Sequence, residues 1–337
     1  MYFFVNDYND IGRDDILDAL VKAKDEYNTG YGFDKHCENA RALMRKALAN
    51  EDLDIHFIPG GTGANVVGLA CGLRQEESIL AVRTGHIEGH EAGSIEATGL
   101  KIETIKSEDG KLSRKLLEEK YSHYDNEYMT VPRKVYISNT TELGEVYTKK
   151  ELSEIYDFCK ENDLYLFMDG ARLAHALVSE KCDYSLKDLA NLCDIFYLGG
   201  TKNGFLYAEA IVIVNDDLKK HFINLQKQKA QLMAKSFIPG IMFETVFAKE
   251  DGYLEGARIS YQMAKDLASG IRKKGYDLAY PFESNQVFVK LSPDELRNWQ
   301  KIAQFETMGE IDGKTIARLV TTYRTSKSDI EGFLSQI

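Results

Sequence analysis

The sequence predicts an α/β fold, with a mostly parallel sheet sandwiched by helices and a smaller C-terminal α+β part. Three observations predict it. Short apolar runs alternate with amphipathic stretches through the first two-thirds of the chain. From about residue 216 the texture becomes polar and helical. A chain of 337 residues, 44% hydrophobic and 28% charged, is long enough for one large core and a second, smaller one.

The elements follow in order. A short strand precedes Asn6 and Asp7. Residues 13–27 set Ile16, Leu17, Leu20 and Val21 on one helical face, and residues 35–49 do the same with Ala40, Leu43, Met44 and Leu48. The turn-rich NTGYGF lies between them. Strands are expected at 55–58, 78–82, 134–138, 164–168, 194–199 and 209–214. Helices are expected at 63–73, 114–124, 149–162 and from Ser185 to Leu192. A long polar helix over 216–235 and another over 253–274 lead to strands near 286–291 and 316–322, and a last helix follows TSKSD at 325–329. This divides the chain into an N-terminal segment (1–12), a large domain (13–247) and a small C-terminal domain (248–337).

A net charge of −11 argues against a nucleic-acid partner, because phosphate backbones demand clustered Lys and Arg. Five cysteines without CxxC spacing argue against disulfides and a zinc site, and fit a reducing cytoplasm. No apolar run reaches the roughly 18 residues of a membrane span. The acidic start MYFFVNDYNDIGRDD lacks the basic region of a signal peptide.

Four segments carry chemistry. In PGGTGANVVG a strand runs into Gly60, Gly61, Thr62 and Gly63, and a helix begins at once. Free N–H groups and the helix dipole make such a turn an anion site, although a plain strand–helix turn looks the same. A dinucleotide fingerprint fits poorly, since Val66 stands where the third glycine belongs. In LYLFMDGARLAHA a strand delivers Asp169 at its carboxyl end, with Arg172 three residues on. The carboxylate either holds a protonated pyridine nitrogen or caps its own helix. DIFYLGGTKNG sets Lys202 in a tight glycine-flanked loop, where packing gives no reason for it and a deprotonated amine would be a nucleophile. RTGHIEGHEAG holds His86 and His90 with Glu88 and Glu91. A metal reading gives way to a flat imidazole at a strand end, because Gly85 follows the strand and a regular helix is not expected to have begun; His90 reads as an ordinary loop histidine.

Together PGGTGAN, GHIEGHEAGSIEATG, VYISNTTELGEVY, MDGARLAHA, YLGGTKNG and ARLVTTYRTSKSDI resemble the threonine aldolase branch of the β-eliminating lyases, within the fold-type I pyridoxal-phosphate enzymes. The resemblance runs from about residue 56 to 330, and YNTGYGFD resembles the family's access loop, with Tyr31, Gly32 and Asp34. It implies a fold-type I, transferase-like architecture and the cofactor pyridoxal 5′-phosphate. Residue by residue, it implies that Lys202 is the Schiff-base lysine, Asp169 the partner of the pyridine nitrogen and His86 the imidazole stacked on the ring. Gly61, Thr62 and Gly63 become the phosphate cradle. Arg172 lies by the ring oxygen and the substrate, and Arg318 takes the substrate carboxylate in a bidentate fork. Asn6 and Tyr31 join the substrate site.

The implied activity is aldol cleavage of a β-hydroxy amino acid, threonine or allo-threonine giving glycine and acetaldehyde. His86 is the leading candidate to take the β-hydroxyl proton or to position a water that does. β-Elimination and transamination are the alternatives within the same fold. A homodimer or homotetramer with shared sites is implied. The family's usual Ser before Asp is here Asn6, and NLQKQKAQLMAKS (224–236) lacks the arginines and glycine run that reach a neighbouring subunit's phosphate. Lys227, Lys229 or Lys235 is left for that task.

Overall fold

A computed structural model describes residues 1–337. The apolar runs of the first two-thirds pair into a seven-stranded sheet. Its strands are β2 (Asp54–Ile58), β3 (Glu77–Val82), β4 (Lys101–Ile105), β5 (Val131–Ser138), β6 (Tyr165–Asp169), β7 (Ile195–Gly199) and β8 (Glu209–Ile213); β1 (Tyr2–Phe3) lies elsewhere. The order is β2-β8-β7-β6-β5-β3-β4. The run from β7 to β4 is parallel, and β8 is antiparallel to both its neighbours.

Side-chain alternation decides what each face receives. Leu166, Met168, Phe196 and Leu198 point into one core, with Val135 and Ile137. Tyr165, Phe167, Ile195, Tyr197 and Tyr136 point into the other. That second face is covered by α3, the third helix of the chain (Gly61–Ala70), after α1 (Asp14–Lys22) and α2 (Lys35–Ala47). Ala64, Val67 and Leu69 are its buried contacts. Asp169 has the parity of Tyr165 and Phe167, so its carboxylate leaves the sheet on the α3 side.

A three-stranded antiparallel sheet follows, in the order β11 (Glu306–Ile311), β12 (Lys314–Val320), β9 (Gln286–Leu291). Ala264, Leu267, Ala268 and Ile271 of the helix Gly252–Lys273 pack on its Val287, Val289, Ala317 and Leu319. Tyr253 and Ala257 of the same helix belong to the large core. One continuous helix therefore serves both cores. β1 pairs in parallel with β10 (Ala303–Gln304), and Phe4 is buried in the small core.

The structure departs from the sequence expectations at identifiable places. The stretch 216–235 is not one helix but Asp216–Lys219 and Phe222–Gln228, split at His221 with φ +59°. Gln226 donates to Phe57 O (2.9 Å) and Gln231 O (3.2 Å), which folds the chain back after Gln228. A helix at Phe237–Phe247 escapes the periodicity because it holds Pro239 and Gly240. Pro239 sits in the first turn, where its missing N–H costs little. Gly240 lies against α2, where a Cβ would meet Cys37 N at 2.8 Å. β4 is an edge strand with alternating charges, a pattern that hides it from a hydrophobicity reading. α1 is shorter than expected, and Val21 faces solvent. No helix is long and apolar enough to cross a membrane.

Candidate active site

Parallel strands end on one side of the sheet, and the chemistry-bearing residues gather there. Ser138 and Asp169 are partners at the ends of β5 and β6. Gly199 and Glu209 are partners where β7 meets β8. Gly170 must be glycine, because a Cβ would lie 1.8 Å from Tyr197 O. The two strand ends thus close on each other, and the loop with Lys202 follows directly. Gly204 ends that loop in the left-handed region at φ +81°.

Asp169 is buried and accepts four hydrogen bonds. The donors are Tyr136 Oη (2.8 Å), Asn65 Nδ2 (3.0 Å), Ala171 N (3.0 Å) and Tyr197 Oη. Burial works to raise its pKa, but the bonds from Tyr197, Ala171 and Asn65 and the field of His86 outweigh it, so the carboxyl stays below its ordinary range. Asp169 is an anion fixed at a strand end. Asn65 spends its second N–H on Glu91 Oε1 (2.7 Å). Glu91 is buried and also accepts from Ser94 Oγ (3.0 Å) and His86 Nδ1 (2.7 Å). A chain of contacts therefore runs Asp169–Asn65–Glu91–His86.

Against the earlier expectation, His86 begins a one-turn helix, α4 (His86–Gly89). Burial disfavours its cation, but the Glu91 bond and the fields of Glu142, Asp169 and Glu91 prevail and raise its pKa. The His90 ring is tilted beside it, with centroids 5.5 Å apart.

Lys202 is half-buried, and desolvation followed by the Arg172 charge lowers its pKa, against the pull of Asp7, Glu142 and Asp169. Its loop is held by Asn203 Nδ2 on Tyr253 O (2.7 Å) and by Gly200 N on Glu209 (2.7 Å). Arg172 is buried in a two-bond pair with Asp7, Nε at 2.8 Å and Nη2 at 3.1 Å. Asn285 Nδ2 adds a third bond to Asp7 at 3.0 Å. Asn6 is half-buried next to it, and its side chain accepts from Tyr8 N (3.1 Å).

At the opposite end of α3 from its buried C-terminus, Gly61, Thr62 and Gly63 form the first turn, and Thr62 is exposed. A Cβ at Gly60 would meet nothing within 4 Å, whereas one at Gly63 would strike Gln231. Gln231, in a segment where only lysines attracted attention, thus lies over this turn. Tyr31 is exposed, its N–H bonds Ala234 O (3.1 Å), and Lys227 Nζ lies 4.9 Å above its ring. The loop around Tyr31 and the 227–235 stretch are therefore one surface. Asp34 caps α2 by accepting from Cys37 N at 2.9 Å.

Arg318 is not drawn into this group. Its Nη2 binds Glu306, its cross-strand partner, and its Nε is buried without a partner. Arg324 is exposed. Sequence reading missed Asp7, Asn65, Tyr136, Tyr197 and Gln231 as site residues. Only the strand parity of Tyr136 and Tyr197 with Asp169 signals two of them in advance.

The family profile described as Beta-eliminating lyase matches residues 12–293. The chain is 33% identical to a low specificity L-threonine aldolase of a Pseudomonas species, over 82% of this chain and 81% of that one. It is 31% identical to its counterpart of Pseudomonas aeruginosa, over 81% and 80%. The solved threonine aldolase of Leishmania major superposes with a TM-score of 0.97 at 41% identity, covering 99% of this chain and 98% of that one. An aromatic aminotransferase from Pyrococcus horikoshii, 16% identical with a TM-score of 0.72, shares the fold-type I architecture alone.

Proposed function

The chain belongs to the beta-eliminating lyase family, and on that footing we propose that it is a carbon–carbon lyase that cleaves threonine or allo-threonine to glycine and acetaldehyde, using pyridoxal 5′-phosphate. The observation that carries this reading is the pairing of a buried anionic carboxylate, Asp169, with a desolvated amine, Lys202, at adjoining strand ends.

The residues fit the cofactor. The first turn of α3 offers free N–H groups beside open space at Gly60. Asp169 has the charge and rigidity to hold a pyridinium. When bound, the cofactor supplies a conjugated electron sink for the substrate's Cα. Lys202 would bond to it, Gly61, Thr62 and Gly63 would receive its phosphate, and His86 would lie against its ring.

This chain's own residues do the rest. Arg172 is oriented by Asp7 and keeps Nη1 free for the substrate carboxylate. Arg318 joins it by exchanging Glu306 for that carboxylate, with Asn6 and Tyr31 at the rim. Clamping the carboxylate fixes which bond at Cα stands ready to break. Two copies of the chain would pair through the surface made by Tyr31 and Lys227, so that Gln231 and one of Lys227, Lys229 or Lys235 border a shared site.

The test is direct. Purified protein reconstituted with the cofactor is given threonine, allo-threonine and phenylserine while free aldehyde and glycine are measured. Stoichiometric release of both supports the reading. Keto-acid or ammonia without glycine refutes it in favour of transamination or elimination. Borohydride should fix the cofactor on the peptide carrying Lys202 and on no other.

A further inference from the structure

Retro-aldol cleavage needs an acceptor for the β-hydroxyl proton, and the site holds several carboxylates. Most are occupied. Asp169 accepts four hydrogen bonds, Glu91 three and Asp7 three. Glu209 is buried behind the lysine loop, on Gly200 N. His86 has Nδ1 engaged by Glu91 (2.7 Å), and that bond, against the desolvation of burial, raises its pKa.

Glu142 is different. It is half-buried and forms neither a hydrogen bond nor an ion pair. It occupies the tip of a turn that leaves β5 beside Asp169. Asn139 N bonds Asp169 O (2.9 Å), Gly144 N bonds Thr141 O (2.9 Å), and Glu145 N bonds Thr141 Oγ1 (3.1 Å). Gly144 closes the turn at φ +83°, packed where a Cβ would meet Phe288 at 2.8 Å. The turn is rigid, and the charge at its tip is felt by His86, Arg172 and Lys202 together. This carboxylate has no partner in the protein and stands on the turn tied to the end of β6 through Asn139 N and Asp169 O.

We propose that Glu142 is the catalytic base that takes the β-hydroxyl proton, a role that moves from His86 to the turn after β5. The inference rests on the retro-aldol reading above. The proton passes from the β-oxygen to the Glu142 carboxylate, and the O–H electron pair becomes the second bond of the departing aldehyde. The Cα–Cβ pair stays with the glycine unit, which later takes one proton at Cα. His86 is left to pack against the ring.

The experiment uses the reconstituted holoenzyme and compares two rates. One is aldehyde release from threonine. The other is exchange of the glycine α-hydrogen for deuterium in heavy water, which needs no β-hydroxyl base. Cofactor uptake by absorbance and the dissociation constant of glycine are read in parallel. In Glu142→Gln the ratio of cleavage to exchange should fall by about 100-fold or more, the scale of a lost general base. Uptake and glycine affinity should stay close to those of the wild type. In Glu142→Asp, which keeps the charge but shortens its reach, the ratio should fall less. Equal loss of both rates, or a ratio within about threefold of wild type, overturns the assignment. If Glu142→Gln does not load cofactor, the ratio in Glu142→Asp decides, and an unchanged value there overturns it. A wild-type enzyme that exchanges glycine but releases no aldehyde overturns the retro-aldol reading and this role with it. Aldehyde release with an unaltered Glu142→Gln ratio overturns the role alone.

Discussion

Asp169 is held as an anion by donors that cannot follow it if it changes. In Asp169→Asn, Tyr136 and Tyr197 must turn their hydroxyls, and the site loses the charge that would keep a pyridine ring protonated. Cofactor should still bind, while turnover falls about 100- to 1000-fold, the usual scale for a lost electrostatic group. Near-normal turnover would reduce Asp169 to a helix cap. The two arginines can be separated in the same way. Arg172→Lys breaks the fork with Asp7 and leaves a buried carboxylate short of partners, so the melting temperature should drop along with substrate affinity. Arg318→Lys should raise KM sharply with little change in melting temperature, because Glu306 is half exposed. If Arg318→Lys leaves KM unchanged, Arg172 binds the carboxylate alone. Glu209 gives a pH signature. Burial, then the field of Asp169 against the pull of Thr201, Gly200 and Lys202, leaves its carboxyl pushed up to about 7 from an ordinary 4.5. Between those values the folded chain holds a proton that the unfolded chain has released. The group's stabilising contribution is full below the lower value and is lost as pH rises through the upper one. The melting temperature of wild type minus that of Glu209→Gln should therefore decline from about pH 5 to about pH 8. A flat difference would show that Glu209 is ionised throughout.

Among the elements, α3 carries most of the design. Its N-terminus is left open for an anion, while its C-terminus is sealed by a buried lysine. Lys134, from the middle of β5, donates to Gly68 O (2.9 Å), Leu69 O (3.1 Å) and Cys71 O (2.7 Å). These are carbonyls that a helix end leaves without partners, and a cation there also complements the dipole. Desolvation lowers the lysine's pKa, so its position has a cost that these bonds offset. Lys134→Met should destabilise the chain by about 2–4 kcal/mol, since buried carbonyls lose a charged donor. It should also weaken cofactor binding, because α3 holds the glycine turn. Chemical denaturation and cofactor titration check both, and an unchanged midpoint would mean that water replaces the ammonium.

The seven-stranded and three-stranded sheets are tied together by the chain's first residues. Phe4 is anchored in the small core and Val320 N bonds Phe4 O (2.9 Å). Three residues later Asp7 reaches Arg172 in the large unit, and Arg13 N bonds Gly204 O (2.8 Å) beside the lysine loop. The site is thus braced from both units. The N-terminal part of the chain leaves Tyr8, Ile11, Tyr27, Tyr31 and Phe33 exposed, a large apolar area for a single copy to leave in water. Analytical ultracentrifugation should find at least a dimer. Phe33→Asp should shift it toward monomer and lower cofactor affinity if the site is shared. A monomer that is fully active would contradict the pairing.

The residues proposed to hold the cofactor can be picked out of the sequence because each sits in a local pattern. Asp169 ends a strand, and Lys202, Gly61 and His86 each follow one after a short turn; such patterns need only a few consecutive residues. Their settings were not legible. Asn65, Glu91, Tyr136 and Asp7 reach the site from four separate segments, and only the stacking of strands and the return of the N-terminus bring them together. The raised pKa of His86 and the unpaired carboxylate of Glu142 depend on which partners the packing brings to each group. Alternation in the chain told which face a side chain would leave from, but packing decided what it would meet there.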